Sequence, residues 1–269
     1  MPAAAAGYAP TLTATEHHRV ISALGIKKAN TRIWQLGLLG VLAGVYISFG
    51  GLVSLVALNE GMGRIAAGTV FSVGLVLVVI AGAELFTGNI IMIVGAITRQ
   101  YSVRKLLRNW LAVYVGNWAG AYLLAVAVMA TGLLGSDGSP LGLGTLAAKV
   151  ADAKLALPFW EAFMRGVLCN MLVVLALIMA TLARDIASKI LCCIFPIMTF
   201  VACGFEHCVA NMFLIPAGLL AKGIPLDGQW VMIRNLAPVT LGNIAGGVLI
   251  LALHPNRIRQ LCHLRRLAP

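Results

Sequence analysis

His207 lies in the run GFEHCVAN (204–211), between long apolar stretches. Imidazole is the side chain whose ordinary pKa of about 6.5 lets it trade protons near neutrality. An ionisable group inside a segment of membrane length points to a substrate or proton pathway; a structural imidazole capped by a backbone carbonyl is the plainer alternative. Glu206 precedes it, and a second carboxylate, Glu84, lies in GAELFTGN (82–89). Both stretches read G-x-E-x-x-x-x-N and stand 122 residues apart, so Glu84 corresponds to Glu206 and Asn89 to Asn211. A buried carboxylate is costly unless protonated or well hydrogen-bonded. The two glutamates are therefore expected to accept backbone N–H bonds, and the two asparagines to serve exposed helix ends, all four supporting helix breaks.

Other chemistries find no support. Cys203, His207 and Cys208 suggest a metal, but zinc takes three or four ligands at recognisable spacing, and no second His or Cys pair completes the set. HExxH, GxSxG and P-loop patterns are absent. No enzyme, metal or cofactor is expected. Five of the six cysteines fall in apolar stretches and none forms CxxC, so they read as small buried hydrophobes.

The elements that must position these residues are membrane spans. The chain is 60% hydrophobic and 11% charged, with a mean hydropathy of +0.94, against about 25% charged in soluble domains. Six segments reach the roughly 20 apolar residues a span needs: 33–58, 66–97, 107–134, 157–182, 189–221 and 232–254. The second and fifth are too long for simple rods, and each carries one G-x-E-x-x-x-x-N cluster near its middle. The expected fold is all-α, with helices 2 and 5 broken.

The net charge of +11 does not indicate nucleic acid, because the Lys and Arg residues lie between apolar runs rather than along one soluble face. Their bias, from Lys27, Lys28 and Arg32 through Arg104, Lys105 and Arg108 to Arg265 and Arg266, predicts cytoplasmic termini. Trp34, Trp110, Trp160 and Trp230 fall at predicted span ends as interfacial anchors. The first 30 residues lack the apolar core of a signal peptide. Residues 1–32 read as a loose tail and interfacial segment, 33–255 as the membrane domain, and 256–269 as a basic cytoplasmic tail.

The 122-residue offset also relates Gly44 to Gly166, and GNWAG (116–120) is echoed by GNIAG (242–246), four residues later than that offset predicts. Spans 1–3 thus resemble spans 4–6, and an odd number of spans per copy inverts one copy relative to the other. Inverted repeats with broken helices place a site near the bilayer midplane.

At AGAELFTGN, GFEHCVANMFLIPAG, GVLCNMLVVLA, NWLAVYVGNWAGA and PVTLGNIAGG the chain resembles the formate/nitrite transporter family, over about 35–255. The resemblance implies an aquaporin-like hourglass protomer in the cell membrane, one pore per protomer and a homopentamer. It implies passage of a small monovalent weak-acid anion, with formate favoured and nitrite, hydrosulfide or a short monocarboxylate as alternatives, protons as a possible co-substrate, and an aquaporin-like neutral-solute channel as the more distant rival. His207 matches the family's central histidine, as proton donor or hydrogen-bond partner, and Thr87 and Asn170 match the positions around it. Lys154 matches a vestibule lysine; without the resemblance it reads as a loop lysine paired with Asp152. Phe71, Leu75, Leu85 and Phe200 match the apolar constrictions, and otherwise read as ordinary lipid- or core-facing residues. Cys208 and Asn89 depart from common family residues.

Overall fold

A computed structural model describes residues 11–12, 14–135 and 142–253. The tail expected at 256–269 lies outside the described residues, as do Cys262 and the first ten positions. Every element among the described residues is helical, apart from one isolated bridge between Thr11 and Ala183.

Five helical stretches are long and apolar enough to cross a membrane. These are α2 (Ile33–Asn59), Gly63–Gly82, α7 (Val103–Ala130), α9 (Phe159–Leu182) and Leu226–Ala252. Gly63–Gly82 comprises α3 (Gly63–Phe71), α4 (Val73–Leu77) and a closing π-turn, and the last stretch ends in α12 (Ile233–Ala252). After Gly82 the chain restarts as α5 (Phe86–Asn89) and, through one 3₁₀ turn, α6 (Ile93–Ile97). The segment expected as span 5 is divided into two shorter apolar helices, α10 (Ile186–Ala202) and α11 (Cys208–Ala221).

Two further helices were not anticipated: α1 (Ala14–Asn30), read as part of a loose tail, and α8 (Leu143–Leu155), read as loop. Both have modest overall hydrophobicity, which hides them from a search for 20-residue apolar runs. Their buried residues give their placement away. Ala29 packs with Met92, Tyr101 and Leu106, while Leu143, Ala147 and Ala151 of α8 are fully buried. The Arg108 guanidinium donates to the carbonyls of Ala29 and Thr31 at 2.9 and 2.8 Å, fastening α1 to α7. Tyr101 donates to the Met92 carbonyl, and burial pushes its phenol up to about 12.

Helix pairs α2/α7 and α9/α12 make the closest approaches. A Cβ at Gly120 would run into the Val41 carbonyl, and one at Gly246 into that of Val167. This explains the GNWAG and GNIAG echo, since small residues four apart let helix backbones touch. Trp34, Trp160 and Trp230 are exposed at 57%, 71% and 68%. Trp110 is no such anchor: it is half-buried and donates to the Asn89 carbonyl. Cys169, Cys193 and Cys208 are buried as expected, whereas Cys203 is exposed beside the second break.

Candidate functional site

The two helix breaks share one construction. Gly82 (φ +82°) and Gly204 (φ +73°) turn the chain through the left-handed region that other residues avoid. Three residues later Leu85 (φ −102°, ψ 125°) and His207 (φ −111°, ψ 116°) are extended and cap α5 and α11. A break inside a bilayer leaves backbone groups that must be satisfied within the protein. Asn117 and Asn243 do this. Asn117 Oδ1 accepts from Phe86 N at 2.9 Å, while its Nδ2 donates to the Gly40 and Glu84 carbonyls at 2.8 and 2.9 Å. Asn243 Oδ1 accepts from Cys208 N at 2.9 Å, and its Nδ2 donates to the Gly166 and Glu206 carbonyls at 2.8 and 2.9 Å. The residue equivalent to Gly166 is thus Gly40, 126 positions away, rather than Gly44.

A ring of four side chains stands beside each break. Lys28 Nζ contacts Glu84 Oε2 at 2.7 Å and Asn89 Oδ1 at 3.0 Å. Asn89 Nδ2 donates to Glu84 Oε2 and Asn109 Oδ1, and Asn109 Nδ2 returns to the Lys28 carbonyl. In the other ring Lys154 Nζ meets both Glu206 oxygens, at 2.9 and 3.0 Å. Asn211 Nδ2 donates to Glu206 Oε2 and Asn235 Oδ1, and Asn235 Nδ2 returns to the Lys154 carbonyl. The carboxylates are therefore held by lysine and asparagine side chains instead of the backbone N–H groups expected. Asp152, the alternative partner for Lys154, pairs with Lys222.

Between the breaks, His207 is 3% exposed and its Nε2 lies 2.9 Å from Thr87 Oγ1. Its Nδ1 accepts the Ala210 N–H at 3.1 Å, at the first turn of α11. A nitrogen that accepts cannot carry the proton of a neutral imidazole, so that proton sits on Nε2 and points at Thr87. Thr87 Oγ1 then accepts, leaving its hydroxyl hydrogen for another group. Asn170 does not reach His207. Its Nδ2 donates to the carbonyls of Thr87 and Asn243, at 3.3 and 2.7 Å, while its buried Oδ1 has no partner among the described residues.

Apolar side chains flank this centre. The Phe200 ring stacks on His207 at 5.8 Å and 14°, and Phe71 meets Phe200 edge-on at 5.8 Å. Leu75 is 1% exposed. Leu85 helps line a cavity of about 220 Å³ that also touches Lys28, Gly82, Asn89 and Thr181. Sequence reasoning missed Lys28, Asn109, Asn117, Asn235 and Asn243. Asn117 and Asn243 stood inside the quoted GN-x-AG echo, and Lys28 and Asn109 stand 126 residues before Lys154 and Asn235.

The fold and the site define a polytopic helical membrane protein with two broken apolar helices and an imidazole–hydroxyl pair between the breaks. Residues 15–255 match the formate/nitrite transporter family, and the chain belongs to it. The chain is 42% identical over 257 residues to a probable formate transporter of Methanothermobacter thermautotrophicus, covering 87% of this chain and 92% of that protein. It is 33% identical over 258 residues to the formate channel FocA of Escherichia coli K12, covering 87% and 90%. A solved pentameric formate channel with formate bound superimposes with a TM-score of 0.74 at 34% identity, covering 88% of this chain and 99% of that one.

Proposed function

We propose that this protein conducts formate across the cell membrane through one path per protomer, passing between the two helix breaks at His207. The observation that carries the reading is the 2.9 Å pair of His207 Nε2 and Thr87 Oγ1, buried where two half-helices begin. Half-helix N-termini carry partial positive charge and suit an anion. Similarity to a probable formate transporter and to formate channels directs the proposal to formate rather than to nitrite, hydrosulfide or another monocarboxylate.

An anion entering a low-dielectric constriction loses hydration worth tens of kcal/mol in the idealised limit. Lys154 and Lys28 stand beside the two breaks, where each ammonium offers N–H donors to the anion while its glutamate keeps the local net charge near neutral. Past the apolar side chains of Phe71, Leu75, Leu85 and Phe200, which exclude water, the anion meets donors. The Thr87 hydroxyl hydrogen is free to give, and His207 Nε2–H follows once Thr87 turns away. His207 acts as a hydrogen-bond donor: loss of its Nε2 proton would leave an imidazolate, and a second proton on Nδ1 would displace the Ala210 N–H. A proton that neutralises formate therefore travels with the anion. Asn170 Oδ1 offers an acceptor to the resulting acid.

The recurrence of the break and the ring supports six spans arranged as an inverted 3+3 repeat with an hourglass path. The membrane domain spans 33–255, with residues 1–32 and 256–269 on the cytoplasmic side of the inner membrane. The pentameric relative supports a homopentamer.

Liposome flux of labelled formate and nitrite from pH 5 to 8, with His207→Asn alongside wild type, tests the reading. Faster formate than nitrite, and a changed rate or pH response in the variant, is expected. No flux above empty liposomes from folded protein overturns it.

A further inference from the structure

We infer that the hydrogen bond between Tyr114 and Thr240 is a positioning contact that sets the gap between the two helix breaks, and with it the discrimination of formate from longer monocarboxylates. The second part rests on the reading that formate passes at His207. Tyr114 Oη lies 3.0 Å from Thr240 Oγ1, joining α7 to α12. The two residues stand 126 positions apart, the offset that also relates Gly40 to Gly166, Asn109 to Asn235 and Asn117 to Asn243. They are thus the same position in the two copies of the pattern. Two residues related by a pseudo-two-fold axis touch only where the axis passes between them, so this bond sits on the line that relates the two breaks.

Each end of the bond also carries the start of a half-helix. The Phe86 ring meets that of Tyr114 edge-on at 4.9 Å, and Phe86 immediately precedes Thr87. Thr240 stands against the Cys208 thiol, and Cys208 immediately follows His207. Phe86 and Cys208 are themselves equivalent, 122 positions apart, and their N–H groups are held by Asn117 and Asn243. Thr87 and His207 therefore sit at opposite ends of one side-chain tie, Phe86–Tyr114–Thr240–Cys208. A second contact between equivalent positions involves the residue after Phe71: Ser72 Oγ donates to the Ile194 carbonyl at 3.2 Å, again across 122 positions. Phe71 and Phe200 connect it to His207. Acetate exceeds formate by a methyl group, which passes the centre only if the half-helices separate. Separating them breaks the tie.

Tyr114→Phe keeps the ring on Phe86 and removes the bond, Thr240→Val removes it from the other end with the shape retained, and Thr240→Ser keeps the hydroxyl. The first readout is the NMR resonance of the His207 Nε2–H proton in full-length protein in lipid bilayers, assigned by its loss in His207→Asn. A shifted resonance in Tyr114→Phe and Thr240→Val, with Thr240→Ser at the wild-type position, is expected. An unshifted resonance in the first two overturns the positioning contact. The second readout is the ratio of labelled formate to labelled acetate flux in liposomes. It is expected to fall about fivefold in each of the two variants, the worth of one neutral hydrogen bond, and no further in Tyr114→Phe/Thr240→Val. A merely structural loss would lower both fluxes together and leave the ratio unchanged. An unchanged ratio, or additive losses in the double variant, overturns the specificity part. Wild-type protein that moves no formate overturns the formate reading instead, and the resonance then decides the tie alone.

Discussion

Removing one member of the Lys154–Glu206 pair isolates the contribution of a ring to stability. The side chains are only 15% and 5% exposed, and Nζ lies 2.9 Å from Oε1. At an effective dielectric constant of about 20, the gross attraction at that distance is about 6 kcal/mol. Desolvation of both ions offsets much of it, so the intact pair adds little over an apolar pair of equal size, whereas one orphaned partner costs about 3–5 kcal/mol. Glu206→Gln keeps the shape and a bond to Asn211 but strands the ammonium; Lys154→Met strands the carboxylate. Each single variant is therefore expected to lose about 3 kcal/mol, and the double variant under about 1.5 kcal/mol, an interaction of at least about 4 kcal/mol. Denaturant titration in mixed micelles, followed by tryptophan fluorescence, reads all four states of the cycle. Additive single losses would refute the argument, because they would mean that neither ion depends on the other. The Lys28–Glu84 pair, at 20% and 13% exposure, is more solvated and gives a smaller interaction in the same cycle.

Two further outcomes follow. Gly204→Ala forces a Cβ into φ +73° while meeting no neighbouring atom, so it costs about 1–2 kcal/mol from backbone strain alone; the same titration measures it, and Gly204→Asn is expected to recover part of the loss. Asp185 caps α10 by accepting the Ser188 N–H at 2.8 Å, and that bond holds its carboxyl below the usual 3.8. The folded value is depressed, so the contribution is present above 3.8 and is lost as pH falls through the lowered value. Asp185→Ala is expected to lower the melting temperature at pH 7, with the gap to wild type closing below pH 3.8.

Five of the expected spans and both breaks were legible because they are written in composition and in a repeated pattern: long apolar runs, Gly–x–Glu, and an asparagine five residues beyond each glutamate. Two things resisted. Helices α1 and α8 bury one narrow face and leave the rest wet, so no apolar run betrays them, and without the family resemblance Lys154 reads as a loop residue. The repeat was sought at one fixed offset, but the first copy carries four more residues between Gly40 and Glu84, and the second four more between Glu206 and Asn235. A constant shift of 122 aligned the breaks and misaligned the helices by about one turn. Gly44 therefore stood in for Gly40, and the match of Lys28 with Lys154 went unseen. The bonds of Asn170 were hidden for a different reason: its two donor bonds go to backbone carbonyls, which no side-chain pattern encodes.

The residues that differ between the two copies explain why there is one centre rather than two. Glycine, glutamate, lysine and three structural asparagines recur at both breaks with nearly the same bond lengths, which is what satisfying an interrupted backbone in lipid demands of each. At the remaining positions the copies diverge: Leu85 stands where the second copy has His207, and Val209 where the first has Thr87. The two polar members of these mismatched pairs are the two that meet at 2.9 Å. Each copy thus supplies one half of a donor pair and an apolar residue at the other half's position. Had both copies kept histidine, two imidazoles would compete for protons within one constriction; had both kept leucine, the breaks would offer backbone dipoles and no side-chain donor. In the proposed function the repeated pattern builds the frame, and the departure from it builds the site.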